Sequence, residues 1–270
     1  MSYTVHFKNN IKYLTFPILE PYSELFQCFT TRVGGVSEGC YASLNLGFGT
    51  DDKFDNVFKN YEILSKAVNI DINNFVTTAQ THTNNIRIVT NKDKGKGVTK
   101  KRDYENIDGL ITNESNIALV TTHADCTPLF FYNPKLKIIG VAHAGWKGTL
   151  YKIAENMIDV FVHNYNSKPE DIIVGIGPSL SQYCFEVDID VAELFINVDE
   201  KYKDFMYGKG SKKYIDLWAI NEYLLVKSGV KKTNIENMKL CTKCNMDLFY
   251  SHRGQHGERG IMASVMQLNY

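Results

Sequence analysis

The sequence has no surplus of charge of either sign: 30 Lys and Arg are matched by 30 Asp and Glu in 270 residues, a formal net charge of zero. A protein held to nucleic-acid backbone or to an anionic membrane by bulk electrostatics carries an excess of cations, so neither partner is expected. Also missing is any apolar run of the roughly 18 residues that a membrane-spanning helix needs. The opening MSYTVHFKNNIKYLTF lacks the basic start and unbroken apolar stretch of a secretory signal, which makes a soluble, cytoplasmic protein the expectation. Only six cysteines occur, and in a reducing compartment they are expected as thiols serving as core residues, ligands or nucleophiles, not as a disulfide framework. There is no internal repeat, no low-complexity tract and no Pro/Ser-rich linker, so one domain over residues 1–270 is the simplest organisation. Neither the G-x-G-x-x-G nor the G-x-x-x-x-G-K-[ST] phosphate loop is present.

What the chain does have is a hydrophobic content of 44%, enough to bury a large core. Residues 117–122 (IALVTT), 128–132 (PLFFY), 137–142 (KIIGVA) and 171–177 (DIIVGIG) read as buried strands, short and rich in β-branched or aromatic residues; residues 85–90 (NIRIVT) read as a further one. Apolar residues at helical spacing run through Leu150, Ile153, Ala154, Met157, Ile158, Phe161 and Tyr165, and again through Val57, Tyr61, Leu64 and Val68. A third helix is expected after Asp216 as N-cap, ending near Gly229. The tight Asn133–Pro134 turn favours antiparallel neighbours over a doubly wound parallel sheet. The basic stretch from Lys92 to Arg102, with its glycines, reads as a mobile, solvated loop.

Chemistry concentrates in Thr121 to Thr149, where buried strands end in His123, Asp125, Cys126 and His143. A thiol and an imidazole held at strand ends allow two readings. In one, His143 is the base that activates Cys126 as a nucleophile; in the other, both bind a metal, with His82 the best candidate for a third ligand. The spacings match no short zinc signature and leave that choice open. Two glycine-bearing segments, around Arg32 and Asn45 and around Arg253, offer turns and cations suited to an anion. Cys241 and Cys244 form a single C-x-x-C; Cys184 and the other cysteines are not spaced to complete a second pair, so no metal site is expected there.

Six ordered motifs together resemble the YfiH family, also known as the polyphenol oxidoreductase or laccase-domain family. They are TTRVGGVSEG with YASLNLG (30–47), QTH (80–82), THADCTPL (122–129), VAHAGWKGT (141–149), GIGPSLSQYCFEV (175–187) and CTKCNMDLFYSHRG (241–254). The resemblance implies an α+β fold, a central pair of mixed β-sheets flanked by helices and related to toxin deamidases. It also implies a zinc ion on His82, Cys126 and His143, and purine nucleoside phosphorylase activity accompanied by adenosine deaminase activity. Small-molecule partners, a purine nucleoside and phosphate, follow from it. Lys147 stands where the family commonly has arginine, which keeps the charge but loses bidentate geometry, and SHRGQHGERG replaces a double arginine.

Three protein ligands leave a metal's fourth position for water or substrate, as in catalytic sites. Phosphorolysis further requires an anion pocket, for which Arg32, Lys147 and Arg253 are the candidates, and an acid for the departing purine, for which Asp125 and His123 are. Asn45 and Gln80 are further candidates for holding substrate, and Cys126 for a direct catalytic role. If the chain stays extended, His123 and Asp125 face one way and Cys126 the other. The competing readings are a copper-dependent polyphenol oxidase, since one Cys and two His are also a blue-copper donor set, a metal-free Cys–His hydrolase or deamidase, and a zinc-stabilised binding module.

Overall fold

Strand Thr127–Asn133 is buried throughout, and its alternate side chains enter two different cores. Leu129 and Phe131 pack with Met157, Phe161 and Leu224 from helices Ile153–Tyr165 and Leu217–Lys227. Phe130 and Tyr132 pack with Phe29, Leu119 and Met266 from a second sheet. The same alternation in strand Ala118–His123 sends Leu119 to that shared core and Val120 outward, onto Val57, Tyr61 and Leu64 of helix Phe54–Val68. Period-2 side-chain direction applied to strands apolar on both faces therefore yields four layers, helix, sheet, sheet, helix.

The computed structural model describes residues 2–208 and 211–270. One six-stranded sheet runs Thr4–Lys8, Ile11–Thr15, Leu25–Thr30, Met262–Leu268, Ala118–His123, Phe75–Thr77; the other runs Ile235–Asn237, Ile173–Ile176, Thr127–Asn133, Ile138–Ala144, Gly109–Thr112, Ile86–Ile88. Most neighbours are antiparallel, including the hairpin at Asn133–Pro134, but the edge strands Phe75–Thr77, Ile86–Ile88 and Ile235–Asn237 pair parallel, so both sheets are mixed. The expected pair of mixed sheets flanked by helices is the architecture found.

The local expectations hold with three differences. Asp216 caps its helix by accepting the Ala219 N–H at 2.9 Å, and the turn after that helix closes on Gly229 at φ +94°. The apolar stripe beginning at Leu150, however, is two helices, Trp146–Leu150 and Ile153–Tyr165, because Lys152 takes a left-handed conformation at φ 62° and turns the chain. The Lys92–Arg102 stretch is anchored instead of free: the buried Asp93 carboxylate holds Lys96 and Arg87 at 2.8 Å each and, despite its burial, stays ionised down to about pH 2. No element was expected beyond residue 187 and before Asp216, yet helix Ile189–Val198 lies there, and strands Met206–Tyr207 and Lys212–Ile215 form a small three-stranded sheet with Glu186–Asp188.

Candidate active site and metal centre

Strands Ala118–His123 and Thr127–Asn133 belong to different sheets, and the short link between them places Cys126 where the two sheets meet. His143 comes from the adjacent strand Ile138–Ala144, and His82 from a turn in which its own φ is 63°. One donor atom from each of His82, Cys126 and His143 lies within 4.8 Å of the other two. The His82 Nε2 to Cys126 Sγ distance is 3.8 Å, close to the roughly 3.5 Å that bond lengths of 2.0–2.3 Å about a tetrahedral ion give.

Asp108 organises both histidines, and its importance is not visible in the sequence. Fully buried at the foot of strand Gly109–Thr112, its carboxylate accepts the backbone N–H groups of Thr81, His82 and Thr83 at 3.1, 3.1 and 2.8 Å and the Thr83 hydroxyl at 2.8 Å. It also bonds His143 Nδ1 at 2.8 Å, which fixes that ring and turns Nε2 toward Cys126. Burial works against its charge, but the bonds from His143 and from Thr81 and Thr83 outweigh this and hold the carboxyl below its usual range. A buried carboxylate behind an imidazole is the arrangement that supports metal-binding histidines. The only sequence signal is an acidic residue at the mouth of an apolar strand.

With no ion bound, the same groups form a charge pair. Burial disfavours the Cys126 thiolate, yet the His143 charge and hydrogen bonds from His143 and His82 prevail, bringing the thiol down to about 6. Burial likewise disfavours charged His143, but the Cys126 thiolate and Asp108 raise it to about 9. A thiolate and an imidazole fixed by a carboxylate are chemically apt ligands for zinc or copper. Gly145 leaves room beside them: an added Cβ would lie 2.8 Å from His82 Cδ2, 3.1 Å from Cys126 Sγ and 3.5 Å from His143 Cε1. Gly145→Ala is accordingly expected to weaken zinc binding about tenfold in chelator competition while leaving the melting temperature nearly unchanged, since its φ of −63° suits alanine.

The triad opens into a cavity of about 570 Å³, the size range of small-molecule sites. Asp125, Arg253 and Gln80 line it; His123, Arg32, Asn45 and Lys147 do not. The extended-chain expectation fails because Asp125 takes φ 85°, which brings Asp125 and Cys126 onto the same cavity and leaves His123 behind in the core. His123 bonds Thr121 Oγ1 at 2.8 Å and the Cys126 carbonyl at 3.1 Å, and burial followed by the nearby His143 charge keeps it neutral, well below its ordinary range. Arg32 spends its guanidinium on the Ala42 and Met246 carbonyls and on the Tyr250 ring, 4.6 Å away. Asn45 braces the backbone at Gly47 and Ile261, and Lys147 lies exposed beside the Trp146 ring.

Gln80 clamps strand residue Thr122 through both its N–H and its C=O, so it holds the His82 turn against the sheet as well as lining the cavity. The Asp125 carboxylate accepts the Thr242 hydroxyl at 2.6 Å and the Arg253 N–H at 2.7 Å. Arg259 and His252, for which no role was expected from the sequence, also line the cavity, and the Arg259 Nε is buried without a partner among the described residues. Both lie in the SHRGQHGERG segment, so their place beside Arg253 in the sequence was the signal available. Phe185, Val187, Val191 and Leu217 form an apolar wall.

Fold and site define a mixed, two-sheet α+β protein that gathers one cysteine and two histidines on one wall of a cavity. Residues 26–269 match the family model described as multi-copper polyphenol oxidoreductase laccase, and the chain belongs to that family. It is 39% identical over 249 residues to purine nucleoside phosphorylase YlmD of Bacillus subtilis strain 168, covering 90% of this chain and 88% of that one. It is 32% identical to the protein of the same name from Geobacillus stearothermophilus, over 91% of each. Among solved structures, the Bacillus licheniformis hypothetical protein YfiH superposes with a TM-score of 0.91 at 32% identity over 97% of each chain. The Geobacillus stearothermophilus YlmD structure superposes with a TM-score of 0.85 at 29% identity over 96% of each.

Proposed function

We propose that this protein is a purine nucleoside phosphorylase, cleaving adenosine, inosine and methylthioadenosine with phosphate to free base and the corresponding ribose 1-phosphate, and that it also deaminates adenosine. The observation that carries this is one cavity holding the Cys126, His82 and His143 donors together with Arg253, Arg259 and an apolar wall. Relatives named purine nucleoside phosphorylase support the same reading.

In phosphorolysis a phosphate oxygen forms a bond to the ribose C1′, the C1′–N9 bond breaks, and its electron pair stays on the purine, which takes a proton at a ring nitrogen. Arg253 and Arg259 are the cations that suit the phosphate: both line the cavity, and the buried Nε of Arg259 has no partner among the described residues. Asp125, anchored by Thr242 and the Arg253 N–H, is the cavity's carboxyl for the purine's ring nitrogen. Phe185 and the valines beside it cover the purine's apolar faces and exclude water. His82, Cys126 and His143 would hold a zinc ion, which supplies Lewis-acid activation of water for deamination. Copper at the same donors is the reading that the family's description favours, and oxidation of a polyphenol is its consequence.

Incubation with adenosine and phosphate, followed by chromatography with Cys126→Ala as the contamination control, tests the proposal. Adenine with ribose 1-phosphate establishes phosphorolysis, inosine establishes deamination, and neither product at any enzyme concentration rejects the nucleoside reading. Arg259→Met is expected to lower kcat/KM for phosphate about 100-fold while the KM for nucleoside changes little, because a cation lining the proposed anion pocket is lost. An equal loss on both substrates would remove Arg259 from the phosphate pocket.

A further inference from the structure

Three of the six cysteines meet at a place where the sequence spacing gave no reason to expect them. Cys241 forms an isolated parallel bridge with Ser179 and opens the turn that carries Cys244, and that bridge draws in the 179–185 segment carrying Cys184. Cys184 Sγ is 3.5 Å from Cys244 Sγ, and the three sulfurs all lie within 4.8 Å of one another. None is in a disulfide.

The surroundings resemble a thiolate site more than a chance meeting of apolar side chains. Cys241 Sγ accepts the Ser181 N–H at 3.4 Å and is also faced by the N–H of Cys244. Backbone amides directed at the first sulfur of a C-x-x-C turn offset negative charge there. Cys244 is exposed, so an ion has a path from solvent, while Cys241 is buried and its turn is held by the Asn245 side chain on its carbonyl. Three adjacent thiols, with no carboxylate or histidine in the group, make a soft donor set that selects Zn²⁺ or Cu⁺ over Mg²⁺ or Ca²⁺.

We propose that Cys184, Cys241 and Cys244 form a second metal site, a three-thiolate clasp for a zinc ion, separate from the centre at His82, Cys126 and His143. Each coordinating thiol releases its proton to solvent on binding, and the fourth position is left to water. The clasp joins two walls of the active-site cavity. On one side Cys184 precedes Phe185 and Val187, and the Glu186 carbonyl accepts Arg253 Nη1 at 3.0 Å. On the other, Thr242 between the two cysteines bonds Asp125, and the chain beyond runs on to Arg253. Metal here fixes the relative position of these walls and does not depend on which reaction the cavity performs.

The test is titration of metal-free, anaerobically reduced protein with Zn²⁺ against a chromophoric chelator. Wild type should bind two equivalents. Cys244→Ser, a change at an exposed residue, should abolish one of them, and Cys126→Ala should abolish the other and leave this one. Co²⁺ bound to the Cys126→Ala protein should show intense sulfur-to-cobalt charge-transfer absorption that Cys244→Ser removes. A single equivalent lost on Cys126→Ala but kept in Cys244→Ser overturns the proposal. So does peptide mass analysis finding a Cys184–Cys244 disulfide in the anaerobically purified protein.

Discussion

Asp108→Asn is expected to lower zinc affinity by about 10–100-fold without touching a ligand. The native carboxylate accepts from three successive backbone N–H groups, the Thr83 hydroxyl and His143 Nδ1. An amide of the same shape keeps one acceptor oxygen but turns N–H donors toward other donors. It thereby loosens the His82 turn and removes the bond that turns His143 Nε2 toward Cys126. Asp108→Ala goes further, leaving the buried backbone N–H groups of residues 81–83 and His143 Nδ1 without an acceptor, and should cost about 3–5 kcal/mol of folding stability in denaturant unfolding. Zinc affinity unchanged in Asp108→Asn would mean that the histidines are held by packing alone.

The second large effect concerns the pH dependence of Cys126 in the metal-free protein. Its thiol is lowered to about 6 while His143 is raised to about 9, so the thiolate–imidazolium pair persists between those values and is lost below about 6 as the thiolate takes a proton. Between pH 8.5 and 6.5 an ordinary thiol loses alkylation rate roughly 50-fold, whereas Cys126 should lose less than about 2-fold. Iodoacetamide labelling followed by peptide mass analysis, with glutathione as the ordinary thiol, gives both profiles. Added zinc should protect Cys126. A labelling midpoint near 8.5 would remove the ion pair, and with it the metal-free Cys–His hydrolase as a competing mechanism.

Sequence patterning reached strands such as Thr127–Asn133 and Ala118–His123 because they are apolar on both faces and must be covered on both sides, while the pair of sheets flanked by helices came from the family resemblance. It did not reach the break at Lys152, where a polar residue adopts a left-handed turn that a helical apolar stripe does not register. In the site, the spacing of His82, Cys126 and His143 left the choice between a dyad and a metal open; the motifs suggested the trio, and the sheet order brings the three donors together. The cationic side was read less well. Arg32 and Lys147 have the right charge in promising segments, but Arg32 is consumed by carbonyls and an aromatic ring, and Lys147 lies outside the cavity that Arg253 and Arg259 line.

By itself the sequence determined element type where the apolar period was strong, the two-faced burial of the central strands and most of the residues able to do chemistry, because these depend on side-chain period and chemical identity along the chain. Tertiary structure alone decided which chemically able residues face one another. Asp108 reaches the backbone of residues 81–83 and His143 only because strand Gly109–Thr112 lies beside strand Ile138–Ala144. Cys184 reaches Cys244 only because the Ser179–Cys241 bridge brings together segments far apart in the chain. Asp125 joins Cys126 in the cavity through a single positive φ. Contacts of this kind are set by sheet order and local backbone turns, for which linear spacing carries no period.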